Sequence, residues 1–308
     1  MFDSDAINLG FSRKALVYDA YGAEHPAIQW TRGVVRAHVL SLCEKTDSPL
    51  PVRGGLGMKA KLLELNAGTG DDAAYFAERG LHVHATDLAD GMVTEIRRKI
   101  EMRGLHGALS VQQLSFTELE RVTGGPYDLV FSNFGGLNCI PDLRPVAEKL
   151  PLVLRPGGYV VWVIMPPICL WELAQALRGR FRVAFRRLRR HTRAHVEGAY
   201  FSTFYFLPSE VKQALGKAFS IISLQSLSLF SPPAFMDGFP RRFPRLFRWL
   251  TQLDARVTRW PVLSSVGDFF MLTARYEGGE GEPLRLSAFS PTQRFSVPKD
   301  GRRTGRTA

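Results

Sequence analysis

Three stretches of the chain end in side chains suited to holding a nucleotide. KLLELNAGTGDDAAYFAERG, residues 61–80, is an apolar run that includes Glu64, turns through Asn66, Ala67, Gly68, Thr69 and Gly70, and continues into a segment opening with Asp71 and Asp72. Glycines in such a turn let the backbone approach a ligand closely, with a negative group resting on the start of the next helix. HVHATD ends in Asp87, 17 residues after Gly70, where a carboxylate can accept both hydroxyls of a ribose. YDLVFS is followed by Asn133, Phe134, Gly135 and Gly136. Gly68-x-Gly70-x-x-Ala73 also satisfies the dinucleotide fingerprint, so these residues leave a nicotinamide or flavin enzyme in competition.

The elements that must carry these residues read as an alternation of strands and helices. Strands are predicted at 60–65, 81–86, 109–114, 127–132 and 158–164, with helices at 71–79, 90–103 and 142–154 between them. Near-continuous apolar strands separated by helices imply a parallel sheet covered on both faces. Glu64, Asp87 and Asn133 then fall at the carboxyl ends of strands, where doubly wound sheets bind ligands. Upstream, Ile28, Val35, Val39 and Leu42 recur at helical spacing within a helical region 12–44, and SPLPVRGGLG (48–57) reads as a linker. Beyond 165 the rhythm changes. AYFSTFYF (199–206) suggests an inserted hairpin, 209–218 a helix, 219–230 and 268–276 strands, and 231–262 a Pro-, Arg- and aromatic-rich lid. The expected organisation is an N-terminal helical cap and linker (1–58), a Rossmann-like core (59–165), a substrate-side hairpin, lid and closing strands (166–276), and a disordered tail (277–308).

The net charge of +11 is unevenly placed. Residues 1–150 carry 16 Lys+Arg against 19 Asp+Glu, whereas residues 151–276 carry 18 against 6. The basic character therefore concerns whatever approaches the second half. Cys43, Cys139 and Cys169 are dispersed, which fits a reducing compartment and argues against a structural zinc site. The opening MFDSDAINLGFSRK lacks the basic start and apolar core of a signal peptide, so a cytoplasmic location is expected.

LLELNAGTG (62–70), VHATDLADGM (83–92), YDLVFSNFGGLN (127–138) and LRPGGYVVWV (154–163) together resemble the class I S-adenosylmethionine-dependent methyltransferases. Within that family the chain is most similar to small-molecule enzymes such as the ubiquinone/menaquinone-biosynthesis type. ALVYDAYG (15–22) resembles the helix that closes over the cofactor in that subset. The resemblance implies a doubly wound, mainly parallel seven-stranded sheet with S-adenosyl-L-methionine as cofactor. It places Glu64, Ala67, Gly68 and Gly70 beneath the methionine end, Asp87 on the ribose, and Leu88 and Met92 on the adenine. Ser115 and Phe116 fall where the family often has an acid for the adenine amino group. Asn133, Phe134 and Tyr18 approach the sulfonium, a cation that an aromatic face stabilises by about 2 kcal/mol when desolvated. Two residues depart from the pattern: Asn66 replaces the first glycine, and Ser115 the acid.

Methyl transfer from a sulfonium depends chiefly on holding the acceptor in line with water excluded. His25, His191, His195 and Tyr200 are the candidates for a base, and no residue is assigned a catalytic role. No metal is expected. The loop after the fourth strand lacks the prolines of nucleobase amino-methylating enzymes, which disfavours nucleic acid as acceptor. Eight arginines crowd 178–193, read as a charged edge hairpin or an anion platform, and Phe and Trp interleave with arginines over 230–262. The expected acceptor is a small, apolar, lipid-like or anionic molecule, with peripheral contact at an anionic membrane. The alternatives are an NAD(P)-dependent oxidoreductase and a non-catalytic module of the same fold that binds membrane or RNA.

Overall fold

A computed structural model describes residues 3–44, 60–260 and 263–278. The predicted linker 48–57 and the tail beyond 278 lie outside the described residues. Among the described residues nine strands are present: β1 (Lys61–Leu65), β2 (His82–Asp87), β3 (Leu109–Gln113), β4 (Tyr127–Ser132), β5 (Leu154–Ile164), β6 (His191–Val196), β7 (Ala199–Phe204), β8 (Phe219–Leu227) and β9 (Phe269–Tyr276). Seven form one sheet in the order β3-β2-β1-β4-β5-β9-β8. The first five are parallel, and β9 runs antiparallel between β5 and β8. β6 and β7 make a separate antiparallel hairpin. This is the doubly wound, Rossmann-like sheet that the sequence predicts.

Both faces of the sheet are covered, which is why its central strands β1, β4 and β5 are buried and mostly apolar. Leu63, Leu65, Val130, Trp162 and Leu272 join one core. Leu62, Val83, Phe131, Val161 and Met271 join the other, under the helices α2 (Pro26–Cys43) and α3 (Asp71–Ala77). Full burial of such side chains stabilises the fold by about 1.5–3 kcal/mol each. Glu64 follows Leu62 by two residues and therefore shares the face beneath α2 and α3.

Two predicted helices are interrupted, each time at proline. The region 12–44 comprises α1 (Ser4–Glu24) and α2, with His25 extended between them. Proline disfavours helical backbone at the preceding residue but is well suited to the first helical position. Likewise 142–154 is two short helices, Arg144–Ala147 and Leu150–Val153, the second carrying Pro151 in its first turn.

α1 buries only Ile7, Gly10, Ala15 and Gly22, so packing alone does not hold it. Instead it lies close along α4 (Asp90–Arg103). The Asp90 amide donates to Asn8 Oδ1 at 3.1 Å, and the Gly91 amide to Ser12 Oγ at 3.0 Å. A Cβ on Gly91 would stand 2.5 Å from the Ser12 carbonyl oxygen, so this approach requires glycine. On its other side Arg13 donates to the Glu197 carbonyl in the hairpin turn at 3.2 Å, and Phe11 meets Phe201 at 5.6 Å between ring centroids.

Candidate active site

β1 has β2 on one side and β4 on the other, which opens a crevice at their carboxyl ends. A cavity of about 300 Å³ occupies it, a volume at the lower end of the roughly 300–1,000 Å³ typical of ligand sites. Of the residues predicted to bind a cofactor, Tyr18, Glu64, Asn66, Ala67, Gly68, Asp87, Leu88, Met92, Phe116, Asn133 and Phe134 line it. Gly70 and Ser115 do not. Gly70 is left-handed at the start of α3, and a Cβ there would stand 2.7 Å from Ile96 Cγ1, so its place is in helix packing. The Ser115 hydroxyl is engaged within its own loop, 2.8 Å from Thr117 Oγ1 and accepting from the Thr117 amide at 3.3 Å.

Asn66 takes the place of a glycine because its own backbone is left-handed, with φ 46°, a region that Asn enters more readily than most residues. Its side chain then ties β1 to β4. Ser132 Oγ donates to Asn66 Oδ1 at 2.8 Å, and Asn66 Nδ2 donates to the Asn133 carbonyl at 3.3 Å. Room for this amide comes from Gly136, where an added Cβ would overlap Asn66 Cγ and Nδ2 and stand 2.8 Å from Oδ1.

Two buried carboxylates set the electrostatics. Asp87 accepts from the Gly68 amide at 2.8 Å and from the Ala89 amide at 2.9 Å, which fixes the glycine turn against β2. Burial pushes its pKa up to about 6 against the pull of those backbone donors. Glu64 is 2% exposed and its Oε2 has no hydrogen-bond partner among the described residues. Burial raises its pKa well above the ordinary range; the Asp72 charge adds to the shift, and Arg36 and Arg32 oppose it. An orphaned acid oxygen at a cavity wall is costly unless a ligand donor meets it.

Around Glu64 the charges are paired. Arg36 Nε meets Asp72 Oδ1 at 2.6 Å, Arg32 meets Asp71, and Asn133 Nδ2 donates to Asp72 Oδ2 at 2.8 Å. The Arg32 guanidinium also stacks 5.2 Å from the Phe134 ring centroid. Thr69 Oγ1 donates to Asp19, which pairs with Lys99 of α4 at 2.6 Å, so α1 is clasped over the glycine turn.

Several lining residues were not among the sequence predictions. Ile7, Phe11 and Lys14 precede the predicted Tyr18 at the spacing i, i+4, i+7, i+11 along one face of α1, and the four roof the cavity. That stripe was readable from the sequence. Arg32, Cys139 and Met165, with Ala194, Val196, Phe201 and Thr203 from the hairpin, also line it, and no local motif marks them. The side beneath α1 and the hairpin is apolar. The four candidate bases lie elsewhere: none of His25, His191, His195 and Tyr200 lines the cavity. Burial pushes the Cys139 thiol up to about 12 and raises the Tyr18 phenol, so neither is a ready base.

Two expectations for the second half change. Of the arginines in 178–193 only Arg193 lies in the hairpin; most of the others stand on short helical turns, Ala174–Arg178, Phe181–Ala184 and Arg187–Arg189. Gly179, left-handed at φ 71°, ends the first turn and restarts the chain, which breaks the strand that the β-rich composition suggests. Arg186 and Arg187 are structural. Arg187 is buried, with Nε on Glu172 at 2.7 Å and Nη2 on Asp268 at 2.6 Å, and Arg186 Nη2 reaches Glu172 at 2.6 Å. Cys169, Glu172 and Asp268 converge closely, and these guanidinium groups neutralise the two carboxylates. The predicted lid is also displaced: no described residue of 230–260 lines the cavity.

The sheet order, the antiparallel β9 and the cavity at the switch point together define a Rossmann-like methyltransferase fold. Residues 62–158 match the family described as methyltransferase domain. The chain is similar to the demethylmenaquinone methyltransferase of Beutenbergia cavernae, 33% identical over 128 residues that cover 41% of this chain and 48% of that protein. It is also similar to the S-adenosyl-L-methionine-dependent Diels-Alderase iliD of Neonectria sp., 26% identical over 120 residues, 39% of this chain and 44% of that protein. The matches thus span a little under half the length of these curated relatives. Among solved structures, the CcbJ methyltransferase of Streptomyces caelestis superposes with a TM-score of 0.56 at 16% identity, covering 89% of this chain and 100% of that one.

Proposed function

We propose that the chain is an S-adenosylmethionine-dependent methyltransferase acting on a small, apolar or lipid-like acceptor at oxygen, carbon or nitrogen. The observation that carries this reading is the pair of buried acids, Glu64 and Asp87, on the wall of one cavity whose far side is apolar. The residues present fit the cofactor: the unpartnered Glu64 Oε2 suits the ammonium of its amino-acid end, and Asp87 suits the ribose hydroxyls. Leu88, Met92 and Phe116 offer an apolar slot for the adenine, while Tyr18 and Phe134 present aromatic faces for a cationic sulfur. When bound, the cofactor supplies an electrophilic methyl group.

The chain's own contribution is placement and exclusion of water. α1 and the hairpin close the apolar side, and Ile7, Phe11, Met165 and Phe201 offer an acceptor hydrophobic contact. Among the described residues no histidine lines the cavity, which suits an acceptor that reacts as a neutral nucleophile or ionises by itself at neutral pH. In this reading residues 59–165 hold the cofactor, and 1–44 with 166–276 select the acceptor. A cytoplasmic location belongs to the same reading. No helix among the described residues is long and apolar enough to cross a membrane.

Calorimetric titration tests the proposal. S-adenosylhomocysteine is expected to bind and NADPH is not, and Asp87→Ala is expected to abolish the binding. The reverse ligand preference would establish the oxidoreductase reading instead. Methyl-labelled S-adenosylmethionine incubated with an organic-soluble cell extract should then yield labelled acceptor. Homocysteine-analogue binding without any label transfer would leave a non-catalytic module.

A further inference from the structure

Of the nineteen large apolar side chains exposed among the described residues, eleven fall in two segments, 170–189 and 235–260. These segments adjoin. Trp171 packs edge-on against Phe239 with ring centroids 5.7 Å apart, and Gln175 Nε2 reaches Met236 Sδ at 3.8 Å. Leu177 is 91% exposed, Phe181 60%, Trp249 57% and Trp260 60%, in a molecule whose interior could have taken such groups. Contiguous apolar surface of this kind marks an interaction site on a water-soluble domain.

The polar residues between them are almost all arginines. Arg178, Arg180, Arg182 and Arg189 on the first segment, and Arg241, Arg242, Arg245 and Arg248 on the second, are exposed and have no carboxylate partner among the described residues. The acids of the same segments do not balance them: Glu172 and Asp254 are buried, and only Asp237 is exposed. The helix Pro244–Val257 separates its faces sharply. Phe247, Thr251 and Asp254 are buried, and on the opposite side Arg245, Trp249 and Arg256 share one stripe. Arg187, fixed between Glu172 and Asp268, anchors the first segment to the start of β9.

We propose that this arginine and aromatic face is a docking surface for an anionic lipid bilayer. Exposed leucine, phenylalanine and tryptophan enter the boundary between headgroups and acyl chains, while arginines extend their stems and place their charges among phosphates. The aliphatic members decide against RNA, because Leu177, Leu188 and Leu246 offer nothing for a base to stack upon. The face leads directly into β6, whose Ala194 and Val196 line the cavity, so a lipid-borne acceptor would meet the hairpin first. The inference concerns a surface distinct from the cavity and stands or falls separately from methyl transfer.

The test is co-sedimentation of the full chain with vesicles. The protein is expected to pellet with equal parts phosphatidylcholine and phosphatidylglycerol, to stay in solution with phosphatidylcholine alone, and to be released by salt. Brominated acyl chains should quench tryptophan emission in the wild type and less in Trp249→Ser. Replacing Arg241 and Arg245 by Gln should weaken vesicle affinity roughly 25-fold, about fivefold for each charge. All variants should keep the wild-type affinity for S-adenosylhomocysteine, which shows that they fold. Absence of pelleting with anionic vesicles overturns the proposal, as does pelleting unaffected by these substitutions. Binding of single-stranded RNA, or a dimer dissolved by Trp249→Ser, without vesicle binding would reassign the face.

Discussion

The contact between Asn66 and Gly136 makes a sharp prediction about a glycine in the cavity wall. A methyl group at Gly136 overlaps the Asn66 amide, so Gly136→Ala must drive that side chain out of its place. Two hydrogen bonds are lost, the one from Ser132 Oγ at 2.8 Å and the one to the Asn133 carbonyl at 3.3 Å. At about 0.5–1.5 kcal/mol each, plus the penalty of a fully buried Ser132 hydroxyl without its acceptor, the expected destabilisation is about 2–3 kcal/mol. Asn66→Gly loses the same two bonds and should cost about 2 kcal/mol, slightly offset because glycine accepts φ 46° without strain. In the double variant the alanine methyl enters space already vacated, so the second substitution adds nearly nothing and the coupling between the two is about 2 kcal/mol. Urea unfolding of the four proteins measures this cycle, and titration with S-adenosylhomocysteine follows the turn itself. Additive costs, or a Gly136→Ala protein as stable as the wild type, would refute the reasoning.

Further outcomes are expected at three residues. Asp87 has its pKa raised to about 6; because ribose hydroxyls donate to the ionised form, affinity for S-adenosylhomocysteine should be level above neutral pH and fall about tenfold per unit below pH 6, and Asp87→Asn should flatten that profile. The same raised pKa favours the folded state at low pH and withdraws that contribution as pH rises through 6, so the acid form most useful to stability is the one that cannot bind; comparing the unfolding of wild type and Asp87→Asn across pH 4–7 reads this sign. Gly91→Ala, whose methyl group meets the Ser12 carbonyl, should lift α1 from α4, visible as faster proteolysis within residues 4–24 and weaker S-adenosylhomocysteine binding. Arg187→Met leaves Glu172 and Asp268 buried with only Arg186 beside them and should destabilise the fold by about 3–5 kcal/mol in urea unfolding.

What the sequence made legible follows from how local each signal is. Strands β1, β2, β4 and β5 are runs of buried apolar residues broken by glycine turns, and the residues at their carboxyl ends sit close in sequence to the motifs that announce them. The floor of the cavity could therefore be named residue by residue. The arginine-rich segment could not, because its composition suits a strand and only Gly179 and the Glu172–Arg187–Asp268 pairing turn it into helical steps. Those partners are 15 and 81 residues from Arg187. Ser115 and Gly70 fall outside the cavity lining for a related reason. Each sits beside the cavity in sequence, but Ser115 is turned toward Thr117 and Gly70 toward Ile96. Of the roof only Tyr18 was named, because the rest is assembled from residues 7–14 and 194–203, which meet only in three dimensions.

That division between floor and roof has an evolutionary consequence. Every predicted floor residue that lines the cavity beneath the roof, from Glu64 to Phe134, lies inside the stretch 62–158 shared with the methyltransferase domain family. The roof, with Met165, lies wholly outside it. Exchange of one helix and one hairpin can therefore change what the cavity admits without touching the stretch that matches the family. A chimera that carries the roof of a relative on this floor should keep its nucleotide affinity and inherit a different diet.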